Sequence, residues 1–196
     1  MGTSGNFSAV VSRAPLQLAI TASAVNKGTL TRSQVLRLDE HGRVIGRGNR
    51  RASAEARLHV EIVRRRNAGA VLHTHSVWGT LLSDIYAARG GVTLEGYEML
   101  KGLDGIDTHE HREWIPIVDN DQDMTRLAAR LGDTLDRVPS AKAILLRRHG
   151  LYTWGPTLAD AERHVEILEF LFETVGRTAT LTAREMEVSH GAATHS

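Results

Sequence analysis

Two histidines separated by one residue interrupt an apolar segment, AVLHTHSVW, at residues 70–78. Side chains two positions apart on a β-strand point to the same side of the sheet, so His73 and His75 are predicted to share one space. Paired imidazole nitrogens of this kind are typical metal ligands. The alternative is that both are hydrogen-bonded histidines in or beside the core. The spacing alone leaves both interpretations open.

A third metal ligand is predicted at His149, which ends the apolar segment AILLRRHG beside a glycine that allows a turn. Three imidazoles would leave a coordination position for a substrate, which is typical of a catalytic rather than a structural site. The chain contains no cysteine, so any metal must be held by nitrogen and oxygen. In THEHREW the same histidine spacing, at His109 and His111, lies in a polar context that predicts a solvated loop.

The glycine- and serine-rich start, GTSGNFS, has the composition of an anion-binding loop, because small residues let backbone N–H groups converge. ITASAVNKG adds a hydroxyl and an amine, and another serine precedes a predicted helix, whose N-terminus also favours an anion. Alone, a Gly/Ser/Asn cluster before a strand is more often only an ordinary turn. Together the three signals predict a phosphate site formed by Ser4, Gly5, Asn6, Ser23, Lys27 and Ser53.

Two carboxylates are candidates for acid/base chemistry. Glu98 lies among apolar residues in LEGYEMLKG, three positions before Lys101, and apolar surroundings would raise its proton affinity. Glu55 lies in the first turn of a predicted helix, where the helix dipole already favours a carboxylate. The alternatives are an ordinary surface glutamate at Glu98 and a structural role at Glu55.

Length and composition indicate one domain that binds a small partner. The 196 residues contain 24 basic and 23 acidic side chains, so no broad positive field indicates nucleic acid or an anionic membrane. No apolar segment approaches the ~18 residues of a membrane span, and the N-terminus has no signal-peptide core. We expect a cytoplasmic protein.

The hydrophobic pattern predicts a mainly antiparallel sheet with helices packed on it. Histidines 41, 59 and 164 are predicted to be surface or packing residues. The pattern fades after Gly176, so residues 179–196, with His190 and His195, are predicted to be a flexible tail.

The predicted strands are 6–13, 16–21, a hairpin over 34–46 turning at 40–42, 70–75, 113–120 and two strands within 143–154. The predicted helices are one between Ser53 and Gly69, 77–87, 121–137 and one capped by Thr157.

The ordered motifs GTSGNFS, ITAS, SAE, AVLHTHS, GYEMLKG, IPIVDNDQDM and LLRRHGLYTWG resemble the class II aldolase/adducin family over residues 2–178. Within that family, GYEMLKG followed by THE and PIVDNDQD is similar to the dehydratases rather than to the aldolases. The resemblance implies an α/β fold, a three-layer α/β/α class II aldolase-like domain with a mixed, mainly antiparallel sheet. We therefore expect a catalytic domain over 1–178.

The resemblance also implies roles for individual residues. The match assigns one Zn²⁺ per subunit to His73, His75 and His149, and the general acid/base of a dehydration to Glu98. Glu55 matches the acid/base of the aldolases and becomes a substrate-pocket residue here. The substrate is implied to be a phosphosugar whose phosphate is held by Ser4, Gly5, Asn6, Ser23 and Ser53, with Lys101 assisting.

The family is usually tetrameric, with active sites near subunit contacts, so we expect a homotetramer. Its members usually carry a helix before the SGN loop, whereas this sequence starts at Met1 in front of it. We expect either a truncated start or a protein without that helix. Three other functions stay open: a sugar-phosphate aldolase or epimerase that uses Glu55, a non-catalytic adducin-like module, and a metal-stabilised phosphosugar-binding protein.

Overall fold

The computed structural model describes residues 5–46 and 49–193. The strands in these ranges are β1 Gly5–Arg13, β2 Leu16–Thr21, β3 Val35–Leu38, β4 Val44–Ile45, β5 Ala70–Thr74, β6 Gly91–Glu95, β7 Arg112–Val118, β8 Ala143–Leu146 and β9 Gly150–Gly155. The α-helices are α1 Ala56–Arg66, α2 Val77–Ile85, α3 Met124–Arg137 and α4 Leu158–Ala193. Short 3₁₀ turns include Lys27–Thr29 and Glu98–Gly102.

The strands form one sheet in the order β4-β3-β2-β1-β5-β9-β8-β7-β6. Within the described ranges β7 and β8 are the parallel pair, and every other neighbouring pair is antiparallel. The mixed, mainly antiparallel sheet expected from the sequence is therefore confirmed. Strand β5, which is followed by His75, and strand β9, which is preceded by His149, are direct neighbours in the middle of the sheet.

Helices cover both faces of the sheet and make it the middle of three layers. One core lies between the sheet and helices α1 and α3, and it includes Leu58, Leu131 and Tyr152. The other lies under α2 and α4 and includes Leu82 and Phe172. Side chains of β8 alternate between the two cores, as the period of a strand buried on both faces requires. No helix in the described part of the chain is long and apolar enough to cross a bilayer.

Both ends of α1 differ from the predicted ones. Helix α1 begins at Ala56, and the Ser53 hydroxyl accepts from the Glu55 N–H at 3.2 Å without capping the helix. The left-handed residue that ends α1 is Asn67, not Gly69. By contrast, Thr157 caps α4 as predicted, because its hydroxyl accepts from the Asp160 N–H and the Asp160 carboxylate accepts from the Thr157 N–H, each at 3.2 Å.

Two elements differ from the hydrophobic pattern. Strand β6, Gly91–Glu95, escapes prediction because five residues at a sheet edge carry little periodic signal. Helix α4 continues to Ala193, through most of the segment predicted to be a tail. The apolar stripe of α4 fades after Gly176, but the segment beyond it contains Ala, Arg, Glu and Met, which all favour a helix. Residues 194–196, including His195, lie outside the described residues.

Candidate metal and substrate site

Three histidines and a glutamate from separate parts of the chain meet at one end of the sheet. Glu55, His73, His75 and His149 each present a nitrogen or oxygen atom, and these atoms all lie within 4.8 Å of one another. The His75 and His149 Nε2 atoms are 3.0 Å apart, and Glu55 Oε1 lies 3.1 Å from His149 Nε2. The structure therefore brings together the three predicted ligands and adds Glu55 to them.

The ring of His73 is held by a hydrogen bond on the side that faces away from the cluster. Its Nδ1 donates to the backbone oxygen of Leu151 at 2.9 Å, which leaves Nε2 as the lone-pair nitrogen that faces the cluster. Tyr152 stacks on the ring with centroids 4.1 Å apart. His73 Nε2 is buried and has no hydrogen-bond partner in the described part of the protein. A buried lone pair held in this way fits a metal ligand.

His75 and His149 lie in turns that the N-terminus of α2 holds together. The Thr80 hydroxyl lies 2.6 Å from the backbone oxygen of Ser76 and 3.1 Å from that of His149. Gly150 allows β9 to approach β5 closely, because a Cβ at this position would lie 2.2 Å from the backbone oxygen of Thr74. The turn residue with a left-handed backbone is Arg148, with φ 55°.

Glu55 is held by hydrogen bonds from the side chains of Asn6 and Ser53. Asn6 Nδ2 donates to Glu55 Oε2 at 2.6 Å, and the Ser53 hydroxyl donates to the same oxygen at 3.2 Å. Burial raises the pKa of Glu55, but hydrogen bonding to His149 and the charge of His73 outweigh burial and lower it to about 2. The carboxylate is therefore ionised at neutral pH, as a metal ligand must be.

The four residues fit a divalent metal in geometry and chemistry. Bonds of about 2.0–2.2 Å in a tetrahedral site place ligand atoms roughly 3.3–3.5 Å apart, close to the separations found here. Burial lowers the pKa of His73 to about 4 and lowers that of His75 as well, so both rings are neutral at pH 7. Neutral imidazoles and an ionised carboxylate suit zinc and also iron, cobalt or manganese.

A cavity of about 690 Å³ opens beside the cluster. Its wall contains the predicted phosphate residues Gly5, Asn6, Ser23, Lys27 and Ser53 together with Glu55, His75 and His149. Gly5 is required by its backbone, because its φ is 121° and a Cβ would lie 2.4 Å from the backbone oxygen of His73. Ser4 lies outside the described residues. The cavity thus joins the four candidate metal ligands to the residues predicted to hold a phosphate.

The structure does not bring Glu98 and Lys101 into this cavity within one chain. Neither residue is part of the cavity wall. Lys101 donates to Glu98, and this hydrogen bond lowers the pKa of the carboxyl. Glu98 is 70% exposed, and its other neighbour is His109 at 3.7 Å. The apolar surroundings expected around Glu98 are therefore wrong for a single chain, since the 3₁₀ turn places its side chain in solvent.

Some residues of the site are not singled out by the sequence. Asn120 and Gln122, from the turn between β7 and α3, and Met124, the first residue of α3, also line the cavity. The motif IPIVDNDQDM is a signal for this segment, but it does not indicate which side chains face inward. His59, for which a surface or packing role is predicted, is fully buried and contacts Asn6.

Protein relatives agree with the motif order. The family model of the class II aldolase and adducin N-terminal domain matches residues 1–175. A protein from Marinobacter nauticus named methylthioribulose-1-phosphate dehydratase is 44% identical over 172 residues, which is 87% of this chain and 81% of the relative. A protein of the same name from Methylococcus capsulatus is 46% identical with the same two coverages.

Solved structures agree with the fold. An L-fuculose 1-phosphate aldolase superposes with a TM-score of 0.73 at 22% identity, over 92% of this chain and 78% of that one. The L-fuculose-1-phosphate aldolase from Thermus thermophilus gives a TM-score of 0.69 at 23% identity, over 93% and 87% of the two chains. The chain therefore belongs to the class II aldolase and adducin family.

Proposed function

We propose that this protein is a hydro-lyase that dehydrates 5-methylthioribulose 1-phosphate to 2,3-diketo-5-methylthiopentyl 1-phosphate, as a step of methionine salvage in the cytoplasm. The observation that carries the proposal is the intact cluster of Glu55, His73, His75 and His149 beside an anion-binding wall. The relatives that are 44–46% identical bear the name of this activity.

The substrate has a phosphate on C1, a ketone at C2, hydroxyls at C3 and C4 and a methylthio group on C5. The wall with Asn6, Ser23 and Ser53 supplies hydroxyl and amide donors for the phosphate, and Lys27 supplies an ammonium group. Phosphate binding there keeps C2 to C4 beside the histidines without taking part in the chemistry. Asn120, Gln122 and Met124 are then left for the distal half of the substrate.

His73, His75 and His149 would hold one Zn²⁺ per subunit, and the bound ion would supply the Lewis acidity that makes the C3 proton more acidic. Glu98 takes that proton. The same carboxyl then returns a proton to the C4 hydroxyl, which leaves as water. The resulting enol takes a proton at C4 and becomes the 2,3-diketone, so the balance is the loss of one H₂O.

Glu98 reaches the reacting carbons from a neighbouring copy of the chain in this proposal. Its exposure in a single chain, together with its absence from the cavity wall, supports a role at a subunit contact. Exposed apolar side chains follow one side of α2, at Val77, Leu81 and Ile85, and another, Met99, lies next to Glu98. A homotetramer with active sites at subunit contacts would cover such a surface and bring Glu98 and Lys101 to the substrate.

An aldolase or epimerase acting on a related sugar phosphate is the second candidate. It is favoured by Glu55, which touches both the cluster and Asn6 and is placed to act as the acid/base instead. A non-catalytic adducin-like module would have no use for four converging ligands. A phosphosugar-binding protein would keep these four residues but would not convert the sugar phosphate that it binds.

Turnover distinguishes these candidates. The zinc-loaded protein is incubated with 5-methylthioribulose 1-phosphate, and the products are followed by mass. We expect the loss of one water from the substrate, abolished in both Glu98→Gln and His75→Ala. Cleavage of a carbon–carbon bond, or turnover that survives Glu98→Gln but not Glu55→Gln, would establish the aldolase instead. A folded, zinc-bound protein that leaves this substrate unchanged would contradict the dehydratase.

A further inference from the structure

A buried row of polar side chains runs from Glu55 into the interior of the protein. His59, on α1, is 0% exposed, and its Nδ1 lies 2.7 Å from the Ser8 hydroxyl. Its Nε2 contacts Oδ1 of Asn6, whose Nδ2 donates to Glu55 Oε2 at 2.6 Å. Ser8 and Asn6 are two positions apart on β1, so both face α1. The row joins one candidate metal ligand to a histidine outside the cavity wall.

The chemistry of these groups determines where the protons lie. Oδ1 of Asn6 can only accept, so His59 Nε2 must carry a hydrogen and donate it. His59 Nδ1 then has a lone pair and accepts from the Ser8 hydroxyl. Burial lowers the pKa of His59 to about 3, so the ring carries this single hydrogen at neutral pH. Every member of the row is thereby hydrogen-bonded without a buried charge on the histidine.

The row sets the orientation of the Asn6 amide. If the amide were reversed, its oxygen would face the Glu55 carboxylate and its NH₂ group would face the N–H of His59. The contact between the amide oxygen and the carboxylate is repulsive and leaves that oxygen without a donor, at a cost of about 1–3 kcal/mol. The contact between the two N–H groups is relieved only if His59 moves its hydrogen from Nε2 to Nδ1. With its hydrogen on Nε2, His59 therefore favours the orientation in which the NH₂ group of Asn6 points toward Glu55 and lies 3.3 Å from the Ser53 hydroxyl.

We propose that His59 is a positioning residue that holds Glu55 in the metal cluster through Asn6. This inference rests on the metal part of the proposed function and needs neither the substrate nor the reaction. Removing the donor at His59 frees the Asn6 amide to rotate, and Glu55 then loses its shortest hydrogen bond outside the histidine cluster. Residues that orient a metal ligand in this way typically change metal affinity by about 10- to 100-fold when they are replaced.

His164 provides a matched control. It is a histidine on α4 that is 2% exposed, and both of its ring nitrogens are hydrogen-bonded. Nδ1 lies 2.8 Å from the backbone oxygen of Trp154, and Nε2 accepts from the Asp104 N–H at 3.1 Å. Its replacement therefore also removes a buried, hydrogen-bonded imidazole, but one that contacts neither Asn6 nor the cluster.

The affinity of the full chain for Zn²⁺ is measured by competition with a chromophoric chelator for wild type, His59→Leu, His59→Gln and His164→Leu. We expect His59→Leu to weaken zinc binding by at least about tenfold. His59→Gln recovers part of the loss because its amide can donate to Asn6, and His164→Leu leaves the affinity unchanged. Chemical unfolding of the zinc-free variants reports how much stability each one loses.

Three results would overturn the proposal, and two of them concern the variants. One is a zinc affinity in His59→Leu equal to that of wild type. The other is an equal loss in His164→Leu, which would assign the effect to general destabilisation. A wild-type chain that does not bind Zn²⁺ would overturn this proposal together with the metal site. Failure of the dehydration assay alone, with the expected zinc affinities, would contradict the proposed reaction and leave the role of His59 supported.

Discussion

The Nε2 atoms of His75 and His149 lie 3.0 Å apart although 74 positions separate the two residues. A hydrogen on His149 Nε2 would have to serve two acceptors, because Glu55 Oε1 is also 3.1 Å from this nitrogen. A hydrogen on His75 Nε2 instead would leave the His149 lone pair facing the carboxylate. A divalent cation accepts both lone pairs and balances the carboxylate. Metal binding should therefore stabilise the fold in addition to serving the reaction.

Removal of the metal is expected to lower the melting temperature. A ligand present at 1,000 times its dissociation constant stabilises the folded state by about 4 kcal/mol, which is roughly 8–16 °C for a domain of this size. Differential scanning calorimetry with EDTA and after zinc repletion measures the shift. His75→Ala is the control and should melt at nearly the same temperature in both conditions. Equal melting temperatures for wild type with and without zinc would contradict a bound metal.

The stability of the zinc-free protein should decrease below pH 6.5 because of His59. Burial lowers its folded pKa to about 3, below the ordinary value of 6.5, so the unfolded chain takes up the proton first. The stability that the neutral ring contributes is complete above pH 6.5 and is lost as the pH falls toward 3. Between pH 7 and pH 5 this loss amounts to about 2 kcal/mol.

Urea unfolding of the zinc-free wild type and of His59→Leu at these two pH values tests that expectation. Other groups titrate in both proteins, so the informative quantity is the difference between their pH dependences. Wild type should lose about 2 kcal/mol more than the variant between pH 7 and pH 5. Parallel pH profiles would mean that His59 can accept a proton in the folded state.

Lys27 should contribute to substrate binding more than to turnover. Its Nζ donates to the backbone oxygens of Ala22 and Val25, at 3.0 and 3.1 Å, and these bonds hold the ammonium group at the cavity wall. A hydrogen bond to a charged group contributes about 1.5–3 kcal/mol, so Lys27→Met should raise KM roughly 10- to 100-fold with little change in kcat.

Steady-state kinetics on the phosphosugar measures that change, and inhibition by inorganic phosphate should weaken in parallel. Lys142→Met is the control, because Lys142 lines a separate depression with Arg66 and His164. An unchanged KM in Lys27→Met would leave phosphate recognition to the hydroxyl and backbone donors alone.

The convergence of the three histidines can be predicted from the sequence because strand geometry is local. His73 lies on β5 and His75 directly follows that strand, so their rings share one side, with centroids 4.9 Å apart. His149 is recognisable because an apolar strand and a glycine turn bound its position. The same logic fails for His59, since helical periodicity shows that it faces the core but not that Asn6, 53 positions away, meets it there.

Glu98 shows a different limit of sequence reasoning. Its apolar neighbours Met99 and Leu100 suggest a shielded carboxyl, yet Leu100 alone is buried and Met99 is 40% exposed. A 3₁₀ turn rotates successive side chains by about a third of a turn, so neighbours in sequence do not share an environment. The wall residues Asn120 and Gln122 are also set by how one loop crosses the cavity, which no local pattern encodes.

A subunit-mixing experiment can establish whether Glu98 acts across a contact between chains. Glu98→Gln and His75→Ala are each expected to be inactive, and they are mixed in equal amounts, unfolded and refolded together. If Glu98 serves a neighbouring chain, random assembly pairs an intact cluster with an intact Glu98 at about a quarter of the sites. Activity should then recover to roughly that fraction of wild type. If Glu98 served its own chain, every site would lack one group and the mixture would stay inactive, so a null result from a fully assembled oligomer would contradict the proposed subunit contact.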